Sequence, residues 1–173
     1  MRRSDREITD MDRIMEIVRR QSVCCVAFQD MPCPYLIPMN HGAALENGRL
    51  TLYFHGAAVG TKLDRLNADP HVSFTIVGGS QVSLNFEEAC RSTAGFDSVC
   101  GTGTAELVPA EEKRKGLAVI MNHAAECEAL AVGNDGADQN RPHFSESSFS
   151  DQAVNAVTVW RIAAASITGK HHD

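Results

Sequence analysis

Residues 46–56, ENGRLTLYFHG, restrict the fold more than any other stretch of this 173-residue chain. Asn47-Gly48 is the dipeptide favoured in two-residue hairpin turns, whose central residues both need positive φ. The octad that follows alternates apolar and polar side chains, the period of a strand with one buried face. Other extended segments lie before and after it, and no sustained alternation of strand and helix accompanies them. That pattern excludes a doubly wound parallel sheet and points to an antiparallel barrel with helices outside. With 43% hydrophobic and 22% charged residues, the chain has the proportions of one globular domain, spanning 1–173.

The remaining elements follow from local signals. Met11, Ile14, Met15 and Val18 recur at helical spacing within 10–20, and Thr9 with Asp12 resembles a capping box. VCCVAF at 23–28 reads as a buried strand, and 35–45 as one extended segment that Pro38 makes an edge or a bulge. A short helix is expected over 61–67, closed by Asp69-Pro70, because the residue before proline avoids helical angles. Two strands, 71–78 and 81–86, should be joined at Gly78-Gly79, with polar irregular chain over 87–97. A strand over 98–108, loosened by Gly101 and Gly103, precedes a helix opening at Pro109 and running to about Glu128. Residues 131–152 read as a long loop, 155–169 as a core strand and 170–173 as a frayed tail.

Charge and cysteines narrow the function. A net charge of −6 leaves no basic excess to displace phosphate counterions, so nucleic acid is not an expected partner. The longest apolar run, 23–28, is far short of the roughly 20 residues of a membrane helix, and no export signal is visible. A cytoplasmic protein is the expectation. Its six cysteines include no C-x-x-C pair and read as free, buried thiols. Adjacent His171 and His172 on a terminus lack the fixed geometry a metal site needs, so no metal is expected.

One segment carries chemistry. In LYFHGAAVGTKLDRLNADPHVSF (52–74) a strand leads through small residues into a helix. A helix start presents unpaired N–H groups and partial positive charge, and glycines such as Gly60 let a bulky anion approach the backbone. Thr61 adds a hydroxyl and Lys62 an ammonium, which makes a small phosphate cradle. Neither a Walker loop nor a G-x-G-x-x-G fingerprint is present. An ordinary surface turn with a solvated lysine would use the same residues.

The chain resembles the FMN-binding split-barrel superfamily, that of pyridoxamine 5'-phosphate oxidase, and most nearly its nitroimidazole-resistance (Nim-type) branch. The resemblance is carried, in order along nearly the whole chain, by MRRSDREITD at the start, PYLIPMNHG (34–42), LYFHGAAVGTK (52–62), SVCGTGTAELV (98–108), EEKRKGLAVIMNH (111–123) and VTVWRIAAASITGK (157–170). It implies a six-stranded antiparallel split β-barrel and a homodimer with cofactor sites at its interface. It implies that Thr61 and Lys62 grip the flavin phosphate, that Pro38, Met39 and Asn40 lie on the strand running along the isoalloxazine ring, and that His55 faces the flavin in the active site. Thr61 stands where pyridoxamine phosphate oxidases carry arginine, and their Arg-rich C-terminal signature is reduced to Trp160-Arg161, which argues against vitamin B6 oxidation. The expected activity is flavin-dependent reduction of a small electrophile, such as a nitroaromatic (5-nitroimidazole) compound. The alternative is a non-enzymatic module of the same fold binding haem or another flavin such as FAD, with His55 or His123 as iron ligand.

Overall fold

The computed structural model describes residues 3–133 and 143–172. Its strands are β1 (Glu7–Ile8), β2 (Val23–Phe28), β3 (Tyr35–Asn40), β4 (Gly42–Glu46), β5 (Arg49–Gly56), β6 (His71–Ser83), β7 (Thr93–Leu107) and β8 (Thr158–His172). The helices are α1 (Met11–Arg19), α2 (Thr61–Ala68), α3 (Lys113–Ala131) and α4 (Asp151–Asn155). All strand pairs are antiparallel, in the order β3-β2-β6-β7-β8-β5-β4, with β1 added to β8. The two ends of that order, β3 and β4, are consecutive in sequence and joined through His41 alone. The sheet therefore curls until its edges meet, which is the expected split barrel, with eight strands described in place of the six expected.

The hairpin is as expected: Asn47 and Gly48 take φ of +52° and +76° between Glu46 and its cross-strand partner Arg49. Leu50, Leu52 and Phe54 of β5 face the barrel interior, where Phe54 stacks on Trp160 at 4.2 Å between ring centroids and Phe28 lies 5.7 Å from the same indole. All three rings are buried, and truncating any of them would cost about 3–5 kcal/mol. Tyr53, on the opposite face of β5, joins Val159, Leu117 and Ile120 in a second core beneath α3. Ile14, Met15, Ile17 and Val18 of α1 complete the main core.

Several expectations are corrected. Asp10, not Thr9, caps α1, its carboxylate accepting from the Asp12 amide at 2.9 Å. The extended segment at 35–45 breaks into β3 and β4 at His41. The two strands expected over 71–86 are one, β6, because Gly78-Gly79 is absorbed as a bulge opposite β7 rather than turning the chain. Gly101 does not loosen β7: a Cβ there would stand 2.4 Å from Phe74 Cζ, so the missing side chain is what admits that ring to the core. Of the loop expected over 131–152, residues 134–142 lie outside the described residues; the described part holds the end of α3, a 3-10 turn at Glu146–Ser148 started by Ser145, and the first residues of α4, capped by Ser150. Lys170, His171 and His172 are not frayed but continue β8 against β7, with His171 Nδ1 and Asp97 Oδ1 2.7 Å apart. Asp173 lies outside the described residues. The cysteines are all unpaired, but only Cys24 is buried; Cys25 and Cys127 are half-buried and Cys33, Cys90 and Cys100 exposed. Among the described residues no helix is long and apolar enough to cross a membrane.

Candidate functional site

The last residues of β5 and the first of α2 form one corner. β5 carries the exposed His55 opposite Val159 of β8 and ends at Gly56. The chain then crosses three exposed residues to Gly60, which starts α2 with φ +128°, a conformation that favours glycine. No side chain caps this helix. The amides of Leu63 and Asp64 return to Gly60 O, at 2.9 and 3.2 Å, so those of Thr61 and Lys62 remain open at the helix start. Thr61 is exposed, with its hydroxyl at the same end.

Lys62 is half-buried and folds back over the end of β5. A Cβ on Gly56 would lie 2.9 Å from Lys62 Nζ and 3.1 Å from its Cε, so the glycine makes the space in which the ammonium rests. Among the described residues no carboxylate pairs with Lys62. An unpaired ammonium, two open amides and a hydroxyl at a helix start are donors of the kind an anion needs, and the set fits a phosphate.

The β3 residues divide. Strand pleating turns Pro38 and Asn40 outward, whereas Met39 is half-buried against the barrel core. Met39 is therefore a wall of the core rather than a surface residue. Gly42 pairs with Tyr53, and His41 lies 6.3 Å from Phe54 between ring centroids. Pro38 opens instead onto the outer face of β2, β6, β7 and β8. There Cys25, Thr75, Cys100 and Thr168 follow it in one cross-strand row. These residues, with Leu36 above, line a hollow of about 430 Å³ that holds no ionisable group other than the two thiols. Thr75 Oγ1 and Cys100 Sγ are 3.3 Å apart within it. Sequence reading missed this face because it placed the cysteines in the core; the alternation of VCCVAF, with Cys24 in and Cys25 out, was the available signal.

His123 is not placed to serve as an iron ligand. It is 4% exposed and its Nε2 donates to Gln21 O at 2.9 Å. Its ring lies 4.6 Å from that of His41, which is 2% exposed and has no hydrogen-bond partner on either nitrogen. Burial, then the proximity of His123, pushes His41 down to about 3, and burial likewise lowers His123, so both rings are neutral. Among the described residues no three His, Cys, Asp or Glu side chains gather as a metal site.

The comparisons with known proteins agree with this geometry. A family profile described as pyridoxamine 5'-phosphate oxidase matches residues 10–171. A candidate 5-nitroimidazole antibiotic resistance protein from Bacteroides thetaiotaomicron is 31% identical, with 95% of this chain and 86% of that one covered and a TM-score of 0.69. The fold is shared at lower identity by an FAD and heme binding protein from Mycobacterium smegmatis (15% identity, TM-score 0.73, 97% and 74% covered) and by a flavocytochrome from Azotobacter vinelandii (17%, 0.73, 100% and 72%). Among curated proteins none matches. With the profile spanning almost the whole sequence and the curled antiparallel sheet in place, the chain belongs to the pyridoxamine 5'-phosphate oxidase family.

Proposed function

We propose that this protein is an FMN-binding oxidoreductase that reduces a small electrophile, such as a nitroaromatic compound of the 5-nitroimidazole type. The observation that carries the reading is the Lys62 ammonium, unpaired, seated over Gly56 at an uncapped helix start next to His55. The 31%-identical relative from Bacteroides thetaiotaomicron supports the substrate class.

When bound, the flavin would supply the electron transfer. Lys62, the amides of Thr61 and Lys62 and the Thr61 hydroxyl hold its terminal phosphate. Pro38 and Asn40, exposed on β3, would border the ring. His55, exposed at the strand end, donates a hydrogen bond or a proton from its imidazole to negative charge developing on the substrate. The outer sheet face around Cys25, Thr75 and Cys100, uncharged and uncovered, is the surface on which a second copy would dock and complete each site. Six unpaired cysteines suit a reducing cytoplasm.

The test is the visible spectrum of the purified protein, before and after adding FMN. Flavin absorbance with release of FMN on denaturation supports the reading; release of FAD would change the cofactor. A haem Soret band, with His55 then the exposed imidazole available to iron, would transfer the assignment to a haem module. A colourless protein that takes up no added FMN would overturn it.

A further inference from the structure

A hollow of about 600 Å³ lies away from the flavin corner, on the side of β5 and β8 that faces the start of α3. Its floor is Thr51 and Ala163, a cross-strand pair of small side chains. Thr51 and His55 are four residues apart on one strand, so the hollow sits about 13 Å from the flavin corner.

The charges around it are unevenly matched. Glu46 Oε1 receives both the Tyr53 hydroxyl, at 2.8 Å, and the Lys115 ammonium, at 2.7 Å. Burial opposes the charge on Glu46, but the hydrogen bonds from Lys115 and Tyr53 outweigh it and hold the carboxyl below its ordinary range, so this pair is ionised and self-contained. Arg161 is shared by two carboxylates, Nε to Glu106 Oε1 at 2.6 Å and Nη1 to Glu112 Oε2 at 2.8 Å, which leaves that triad one negative charge in surplus. Arg49 is the converse. Its guanidinium donates only to the Ala164 carbonyl, at 3.4 and 3.1 Å, and among the described residues no carboxylate pairs with it. One surplus positive charge and one surplus negative charge therefore face each other across a neutral floor.

We propose that this hollow is a second ligand site, taking a small zwitterion whose carboxylate meets Arg49 and whose ammonium meets the Glu106–Arg161–Glu112 triad, with an aliphatic stem over Thr51 and Ala163. A ligand with one charge only would leave one end unmatched, and a neutral one would leave both. The site needs no flavin, and so stands or falls apart from the reading above.

The experiment titrates the purified protein, as isolated, with three probes of equal length: 6-aminohexanoate, hexanoate and hexylamine. Amide chemical shifts of Thr51 and Ala163 and titration calorimetry are the readouts. The zwitterion is expected to bind about tenfold or more tightly than either single-charge probe. Arg49→Gln should weaken 6-aminohexanoate and hexanoate about tenfold while leaving hexylamine unchanged; Glu112→Gln should weaken 6-aminohexanoate and hexylamine and spare hexanoate. Arg49 is exposed and Glu112 half-buried, and folding of both variants is checked by an unchanged amide spectrum elsewhere. Absence of binding, equal affinity for all three probes, shifts remote from Thr51 and Ala163, or indifference to both substitutions would each overturn the proposal.

Discussion

At its start β5 carries Arg49, Thr51 and Tyr53 alongside a mesh of ion pairs; at its end the same strand carries His55 and Gly56 to a lysine that, among the described residues, has no carboxylate partner. The sheet geometry is shared, so the difference lies in what surrounds the cations. At the first end Lys115 and Arg161 are neutralised by side chains from β4, β7 and the turn before α3, and they pin that helix to the sheet. At the second end the ammonium rests over Gly56 and, among the described residues, no carboxylate pairs with it. A cation without a carboxylate partner suits an external anion. One strand thus runs from ion pairs that fasten the fold to a lysine with no such pair among the described residues.

Substitutions can break this contrast. The largest expected effect is on binding. Lys62→Ala should weaken FMN about thirtyfold, the loss of one charge-assisted contact worth about 2 kcal/mol, while stability stays within about 0.5 kcal/mol; flavin fluorescence titration and urea denaturation read the two. A loss of stability without loss of affinity would place Lys62 among the fastening charges. Next comes the layer beneath α3, where His41 is buried against His123 of that helix. Because His41 is held down to about 3, the unfolded chain takes up its proton first. Stability is therefore complete above about pH 6.5 and falls as pH drops through that value toward 3, by about 2 kcal/mol between pH 7 and 5. Glu126 and Arg19 are the charged groups acting on His123, with opposite signs. His41→Phe should flatten that slope, as urea melts at the two pH values will report.

Smaller effects sharpen the contrast. Arg161→Gln leaves Glu106 and Glu112 without their shared cation and should cost about 1 kcal/mol of stability, no more because both carboxylates are well solvated; FMN affinity should not change. Gly56→Ala is the mildest. The added methyl meets only the end of the Lys62 side chain, which can swing aside, so melting should be unaltered while FMN affinity falls a few-fold. An unchanged affinity would mean that the ammonium has no fixed seat.

Much of the first end could not be read from sequence, because its pairs join residues 46, 106, 112, 115 and 161, and no local pattern reports such separations. The second end was legible: its parts lie within eight residues, and Gly60 and the Asp69-Pro70 stop mark the helix on both sides. The hairpin and β5 were legible for the same local reason. What failed did so where tertiary geometry overrides a local signal. Gly78-Gly79 has turn composition, yet Gly79 at φ +62° absorbs its irregularity inside a paired strand. His171 and His172 look like a polar tail, but ladder hydrogen bonds are made by backbone and are indifferent to side-chain polarity. The break at His41 has its cause in α3: a Cβ on Gly42 would lie 2.6 Å from the Ile120 backbone, so the chain must pass there without a side chain.

The central claim is that a flavin phosphate rests on the Lys62 corner, and it is tested most directly by comparing FMN with riboflavin, which lacks that phosphate. Fluorescence titrations of the wild-type protein and Lys62→Ala should give FMN about a hundredfold preference over riboflavin in the first and only a few-fold preference in the second. Equal affinity for the two flavins in the wild-type protein, or a preference that survives the loss of Lys62, would contradict the account.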